Sequence, residues 1–132
     1  MKGSIVPIVL IGVAALGAAA LPRGAVIVPA GDPAPREIRI VVKDMTFYVD
    51  GQDMPNPMLR VKAGERIRLV LRNEDAGMTH DFAVASWKVG TRALMDKGEE
   101  DALVFRVPYQ RGTTAYHCTP HSEMMRGTIQ VE

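Results

Sequence analysis

From Ile38 onward apolar side chains recur at every second position, and this period constrains the fold more than any other feature of the 132-residue chain. "REIRIVVK" puts Ile38, Ile40 and Val42 on one face, and "VKAGERIRLVLRNED" puts Ile67, Leu69 and Leu71 inward with Arg66, Arg68 and Arg72 outward. The same alternation carries His80, Phe82 and Val84, then Leu103, Phe105 and Val107, then Tyr116 with Cys118, and last Ile129 with Val131. Successive side chains of an extended chain point to opposite sides, so each run presents one apolar face. The turn-forming stretches "DGQDMPNP", "KAGE", "NEDAG", "KVG", "DKGEED" and "PYQRG" separate the runs. Apart from the N-terminal segment, no long stretch has helical periodicity. About six or seven short strands that must bury one face each predict an all-β, two-sheet β-sandwich.

The N-terminus is of another kind. Lys2 precedes an apolar run over residues 5–16, and Ala18, Ala19 and Ala20 form a small-residue site at which a peptidase could cut. Residues 1–20 therefore read as an export signal. Apolar residues continue to Ala30, broken only by Pro22 and Arg23, so residues 5–30 could instead stay as a membrane anchor. Either way the rest of the chain lies outside the cytoplasm, in the periplasm or an equivalent space. Residues 21–37, ending in "PAGDPAPRE", read as a proline-rich linker, and residues 38–132 as one domain. A formal net charge of +1 supplies no basic field for nucleic acid.

Cys118 is the only cysteine. In an exported chain it is a free thiol, an intermolecular bridge or a metal ligand. Its neighbours favour metal, because "YHCTPHSEMMRG" crowds His117, His121, Met124 and Met125 around it. The strand pattern puts Cys118 at the inward end of the penultimate strand and His121 on the following loop, stiffened by Pro120. His80, at the start of an earlier strand, can share that end of a sandwich. One thiolate, two imidazoles and a thioether form the donor set of a blue-copper electron-transfer site.

These stretches resemble a small cupredoxin, the type 1 copper proteins. "HCTPH" is similar to the ligand loop of amicyanin and pseudoazurin, and "HSEMMRGT" resembles the azurin stretch that carries the axial methionine. "MTFYVDG", "VKAGERIRLVLRNED" and "THDF" occupy the places of the early strands and the first histidine. The resemblance implies a Greek-key sandwich and one copper per chain, bound by His80, Cys118, His121 and Met125. Counting as in amicyanin selects Met124 in place of Met125. Gly127 is expected to allow a tight start to the last strand. Position 81, where such proteins often have Asn, is Asp81, and an ionised carboxylate there would favour Cu(II) unless a donor pairs with it.

The function this implies is single-electron shuttling between exported or membrane redox partners that dock near His121, on an apolar rim including Met78, Pro120 and the outward-facing methionine. No nucleophile and base pair or phosphate loop points to an enzyme. Two alternatives stand beside it. One is a copper carrier or storage protein. The other is a subunit of a copper redox enzyme in which His117, turned away from Cys118 by alternation, binds a second copper at an oligomer interface.

Overall fold

The computed structural model describes residues 31–132. The expected signal or anchor, together with residues 21–30 of the linker, lies outside the described residues. From Arg36 the alternation is realised as nine strands: β1 (Arg36–Lys43), β2 (Thr46–Val49), β3 (Leu59–Val61), β4 (Arg66–Asn73), β5 (Ala83–Val84), β6 (Val89–Gly90), β7 (Glu100–Arg106), β8 (Gly112–His117) and β9 (Arg126–Val131). Two single turns of 3₁₀ helix, Ala85–Trp87 and Thr119–His121, interrupt them.

One sheet has the order β2-β1-β4-β7 and the other β3-β9-β8-β5-β6. Most neighbours are antiparallel, but β1 with β4 and β3 with β9 run parallel, as strands do when the chain crosses between sheets. Hydrogen-bonded register aligns the apolar faces. Ile38, Ile40 and Val42 lie beside Leu69, Leu71 and Asn73, and Ile67 and Leu69 lie beside Phe105 and Leu103. Between the sheets Phe82 stacks on Tyr116 with ring centres 4.9 Å apart, while Phe47 meets both rings edge-on. The buried Tyr116 hydroxyl donates to the Pro57 carbonyl at 2.6 Å, so this polar tip is satisfied within the core.

Three local features differ from expectation. "KVG" contains a strand: Lys88 takes a left-handed backbone (φ 55°) at the end of the first 3₁₀ turn, which folds Val89–Gly90 back onto Ala83–Val84. His80 does not start a strand but sits in an isolated bridge opposite Leu94. Gly127 does not start β9; it lies inside it, opposite Tyr116. Its lack of a side chain matters for space, since a Cβ there would fall 2.3 Å from the Tyr116 ring.

The β1–β2 hairpin turns on Asp44 and Met45, both left-handed at φ 51° and 57°. Tight two-residue hairpins need that geometry and usually obtain it from Asn or Gly. Here the cost is offset by an outside acceptor, Asp75, described below.

Candidate metal centre

β8 carries Tyr116, and Cys118 just past its end, into the interior, and both are fully enclosed. The chain then enters the Thr119–His121 turn, where Pro120 supplies the fixed φ of a helical start. Backbone bonds close this loop on itself. Cys118 N–H donates to the Met125 carbonyl at 2.9 Å, Met125 N–H donates to the His121 carbonyl at 2.9 Å, and His121 N–H donates to the Cys118 carbonyl at 3.2 Å. Across from it, a reciprocal pair of backbone bonds with Leu94, at 2.9 and 2.7 Å, fixes His80.

The result is convergence. Cys118 Sγ lies 3.7 Å from His80 Nδ1 and 3.6 Å from His121 Nδ1. All three donor atoms fall within 4.8 Å of one another. With metal–sulfur and metal–nitrogen bonds of about 2.3 and 2.0 Å, two ligands roughly 120° apart on one ion stand about 3.7 Å apart. The donors therefore have the separation of ligands sharing one ion. Among the described residues, no other His, Cys, Asp and Glu side chains gather in this way. His80 and Cys118 are buried, while His121 is partly exposed.

A second layer of polar groups holds the donors, and Asp75 is its centre. Its carboxylate accepts N–H bonds from Asp44 at 2.7 Å and Met45 at 3.0 Å, and it meets His80 Nε2 at 3.0 Å. A carboxylate only accepts, so Nε2 carries the imidazole proton and Nδ1 turns its lone pair toward Cys118. The buried Asn73 accepts from Asp75 N–H at 2.9 Å and donates to the Met78 carbonyl at 3.1 Å, which shapes the turn leading to His80. Asn56 accepts from Phe47 N–H at 3.2 Å and donates to the Met124 carbonyl at 3.4 Å, tying the ligand loop to β2. Asp81 Oδ1 accepts the Thr119 N–H at 2.6 Å.

Burial lowers the proton affinity of His80, and only in part does the Asp75 carboxylate restore it, so the ring favours the neutral form that binds metal. Burial alone would push the Asp75 carboxyl up. The bonds from Met45, Asp44 and His80 outweigh it and hold that group below its usual range. Burial pushes the Cys118 thiol up, the N–H groups of Asp81 and His121 oppose that, and the Asp81 charge adds to the rise. A metal must therefore displace a proton from Cys118.

Of the residues the sequence pointed to, His80, Cys118 and His121 come together. The two methionines separate sharply: Met125 is fully buried in the core cluster with Cys118, whereas Met124 is 61 % exposed. His117 ends β8, partly buried, with Ala83 and Arg126 as its register partners, and lies outside the donor cluster. Sequence reasoning missed Asp75, Asn73 and Asn56. The one available signal was a carboxylate five positions before a candidate ligand histidine, and it read as an ordinary turn residue.

Comparison with known proteins agrees with this geometry. Residues 34–132 match the family of copper binding proteins, plastocyanin/azurin family, and the chain belongs to it. Copper is thus the cofactor, and the donor set fits it. No curated protein matches the chain by sequence. Among solved structures, the fold is similar to the dithionite-reduced auracyanin of the photosynthetic bacterium Roseiflexus castenholzii, with a TM-score of 0.59, 17 % identity and coverage of 75 % of this chain and 98 % of that one. Auracyanin A, a "blue" copper protein from Chloroflexus aurantiacus, gives a TM-score of 0.57 at 19 % identity over 75 % of this chain and all (100 %) of that one. The McoA multicopper oxidase of Aquifex aeolicus gives 0.61 at 16 % identity, covering 76 % of this chain but only 27 % of the oxidase.

Proposed function

We propose that the chain is an exported single-electron carrier in which His80 Nδ1, Cys118 Sγ and His121 Nδ1 would hold one copper ion with the Met125 thioether as the fourth donor. The observation that carries this reading is the convergence of one thiol and two imidazoles, two of them buried and the third reaching the surface. When bound, copper supplies a one-electron couple, for which soft sulfur suits Cu(I) and imidazole serves both oxidation states. The chain's own contribution is rigidity. The backbone bonds of the ligand loop, the Leu94 bridge and the Asp75 bond hold the donors in place without the metal. Pre-held donors keep the rearrangement between oxidation states small.

His121 is the donor nearest solvent, and redox partners dock around it. Exposed Met78, Pro120 and Met124 supply the apolar rim suited to small, rapidly dissociating encounters. Export rests on the sequence of residues 1–20, or on an anchor within residues 5–30, with residues 21–37 as linker and 38–132 as the working domain. Among the described residues no helix is long and apolar enough to cross a membrane. The chain is not itself an enzyme on this reading, since a second copper at His117 would need donors from another chain.

The test is a visible and paramagnetic resonance spectrum of the copper-loaded protein with metal analysis. One copper per chain, an intense thiolate-to-Cu(II) band and its loss in Cys118→Ala support the carrier. A colourless protein that holds only Cu(I) and accepts no electrons reversibly would instead be a copper carrier or store.

A further inference from the structure

The end of the sandwich opposite the metal centre is built from turns that are bonded to one another. Gly64 N–H donates to the Val107 carbonyl at 3.1 Å and Ala63 N–H to the Glu132 carbonyl at 3.0 Å, which joins the β3–β4 turn, the β7–β8 turn and the end of β9. Asp32 is held there by Arg106, so the chain from residues 5–30 enters the domain at this end. The carboxylate side chains here are all engaged: Asp32 pairs with Arg106, Glu65 with Arg36 and Glu132 with Arg60. Among the described residues Lys62, Arg66, Lys88 and Arg111 have no carboxylate partner. Arg66 and Arg106 stand opposite each other in the β4–β7 register, a repulsive pairing that folding alone does not favour. Aromatic rings lie beside these cations. Tyr109, 76 % exposed, lies over Gly64, where a Cβ would fall 2.4 Å from its ring. Trp87 lines a hollow of about 350 Å³ with Ser86, Pro108, Arg111, Thr113 and Thr114.

Unpaired cations next to tyrosine and tryptophan are the composition of surfaces that settle at the headgroup level of a bilayer. The metal-centre end differs, for there the charges are mixed, with Asp44, Asp96 and Glu123 among Lys43, Lys97 and Arg126. We infer that the cationic end is a docking face for a bilayer containing anionic phospholipid, on which Lys62, Arg66, Lys88 and Arg111 meet headgroup phosphates with Tyr109 and Trp87 beside them. β8 runs from this face to the metal centre, about 17 Å at roughly 3.3 Å per residue, so a domain standing on the face turns His121 away from the lipid. That orientation bears on electron transfer only through the carrier reading above, whereas the docking itself needs no copper.

Trp87 is the only tryptophan of the chain, so its fluorescence reports on the face directly. The copper-free full chain is mixed with vesicles of phosphatidylcholine alone or of phosphatidylcholine with phosphatidylglycerol, brominated on the acyl chains near the headgroup to quench a docked Trp87. At a fixed lipid concentration the docked-to-undocked ratio should be at least about tenfold higher on the anionic vesicles. Salt near 1 M, which screens charges within about 3 Å, should erase that difference. Lys62→Ser/Arg66→Ser/Arg111→Ser should lower the ratio on anionic vesicles about a hundredfold. Lys43→Ser/Lys97→Ser/Arg126→Ser removes equal charge from the other end and should stay within about threefold of wild type. Equal loss in the two triple variants would overturn the face, and so would equal quenching on both kinds of vesicle. Vesicles that sediment with the chain while Trp87 stays unquenched would overturn it too, leaving attachment to residues 5–30 alone. A Trp87 signal that follows protein rather than lipid concentration would make the face a contact between copies, and lipid docking would fall. The salt titration uses the wild-type chain, so it decides even where a variant fails to fold. A chain that never colours with copper would sink the carrier reading and leave the vesicle result standing.

Discussion

Replacing Asp75 with Ala tests whether a residue that never touches the metal decides how well it is held. The carboxylate receives three N–H groups, from Asp44, Met45 and His80, at 2.7 to 3.0 Å. The side chains differ in access to water, at 13 % exposure for Asp75 and 0 % for His80. In Asp75→Ala the hairpin-turn amides, close to the surface, can turn to water. The enclosed His80 Nε2–H cannot. Leaving one buried donor unpaired costs about 1–3 kcal/mol, and this is the loss expected in the copper-free protein. For a domain of this size it lowers the melting temperature by roughly 4–8 °C per kcal/mol. Because the same bond aims Nδ1 at Cys118, copper affinity should fall about 10- to 100-fold. Asp75→Asn should lose less than Ala, since its one amide oxygen can stand where Oδ2 accepts from Met45 and His80 and leaves the NH₂ facing only the Asp44 N–H. Chelator competition gives the affinity, thermal unfolding of the copper-free protein gives the stability, and ¹⁵N spectra report the His80 tautomer. Copper affinity within about threefold of wild type, with the proton still on Nε2, would refute the claim that Asp75 orients the ring.

Other perturbations probe other parts of the site. Met125→Leu should keep a coloured protein with a shifted potential and altered band ratios, while Met124→Leu, at an exposed side chain, should leave both nearly unchanged; electrochemistry with visible spectra compares them. Gly127→Ala should drive a methyl group into the Tyr116 ring, which is held by its bond to Pro57, at a cost of about 1–3 kcal/mol measurable by denaturant unfolding. The lowered His80 pKa means that the folded state resists protonation. Copper-free stability should therefore be full above its ordinary value of 6.5 and fall as pH drops below it, as melting across pH would show. Asp75, also held low, adds to that acid loss at still lower pH. Cys118 has the opposite sign: its contribution is present below the ordinary thiol value of 9.0 and is lost as pH rises through its raised value. Copper uptake near neutral pH should consequently release about one proton, detectable by calorimetry in buffers of different ionisation enthalpy.

Strand content and strand faces were legible in the sequence because alternation is a property of consecutive residues. Ile67, Leu69 and Leu71 lie inward wherever β4 is placed, since each side chain's direction follows from its neighbour's. Cys118 and His121 are similarly local. Three positions apart across a proline-stiffened turn, they can reach one point within a single loop. His80 could be nominated from its residue type but not positioned, because its place depends on the Leu94 bridge, between segments separated by a turn and β5 and β6. Tertiary structure alone decided between Met124 and Met125. The two are adjacent and both donate to the His121 carbonyl, yet the folded loop buries the Met125 side chain in the core and leaves that of Met124 outside. It also gave Gly127 its role, since only cross-strand pairing brings Tyr116 over it. Asp75 is the extreme case. It works through a hairpin turn about thirty positions earlier, at Asp44 and Met45, of which only Asp44 is a type that readily takes a left-handed turn. Bonds of that range form only when the chain has closed, so no periodicity or spacing along the sequence encodes them.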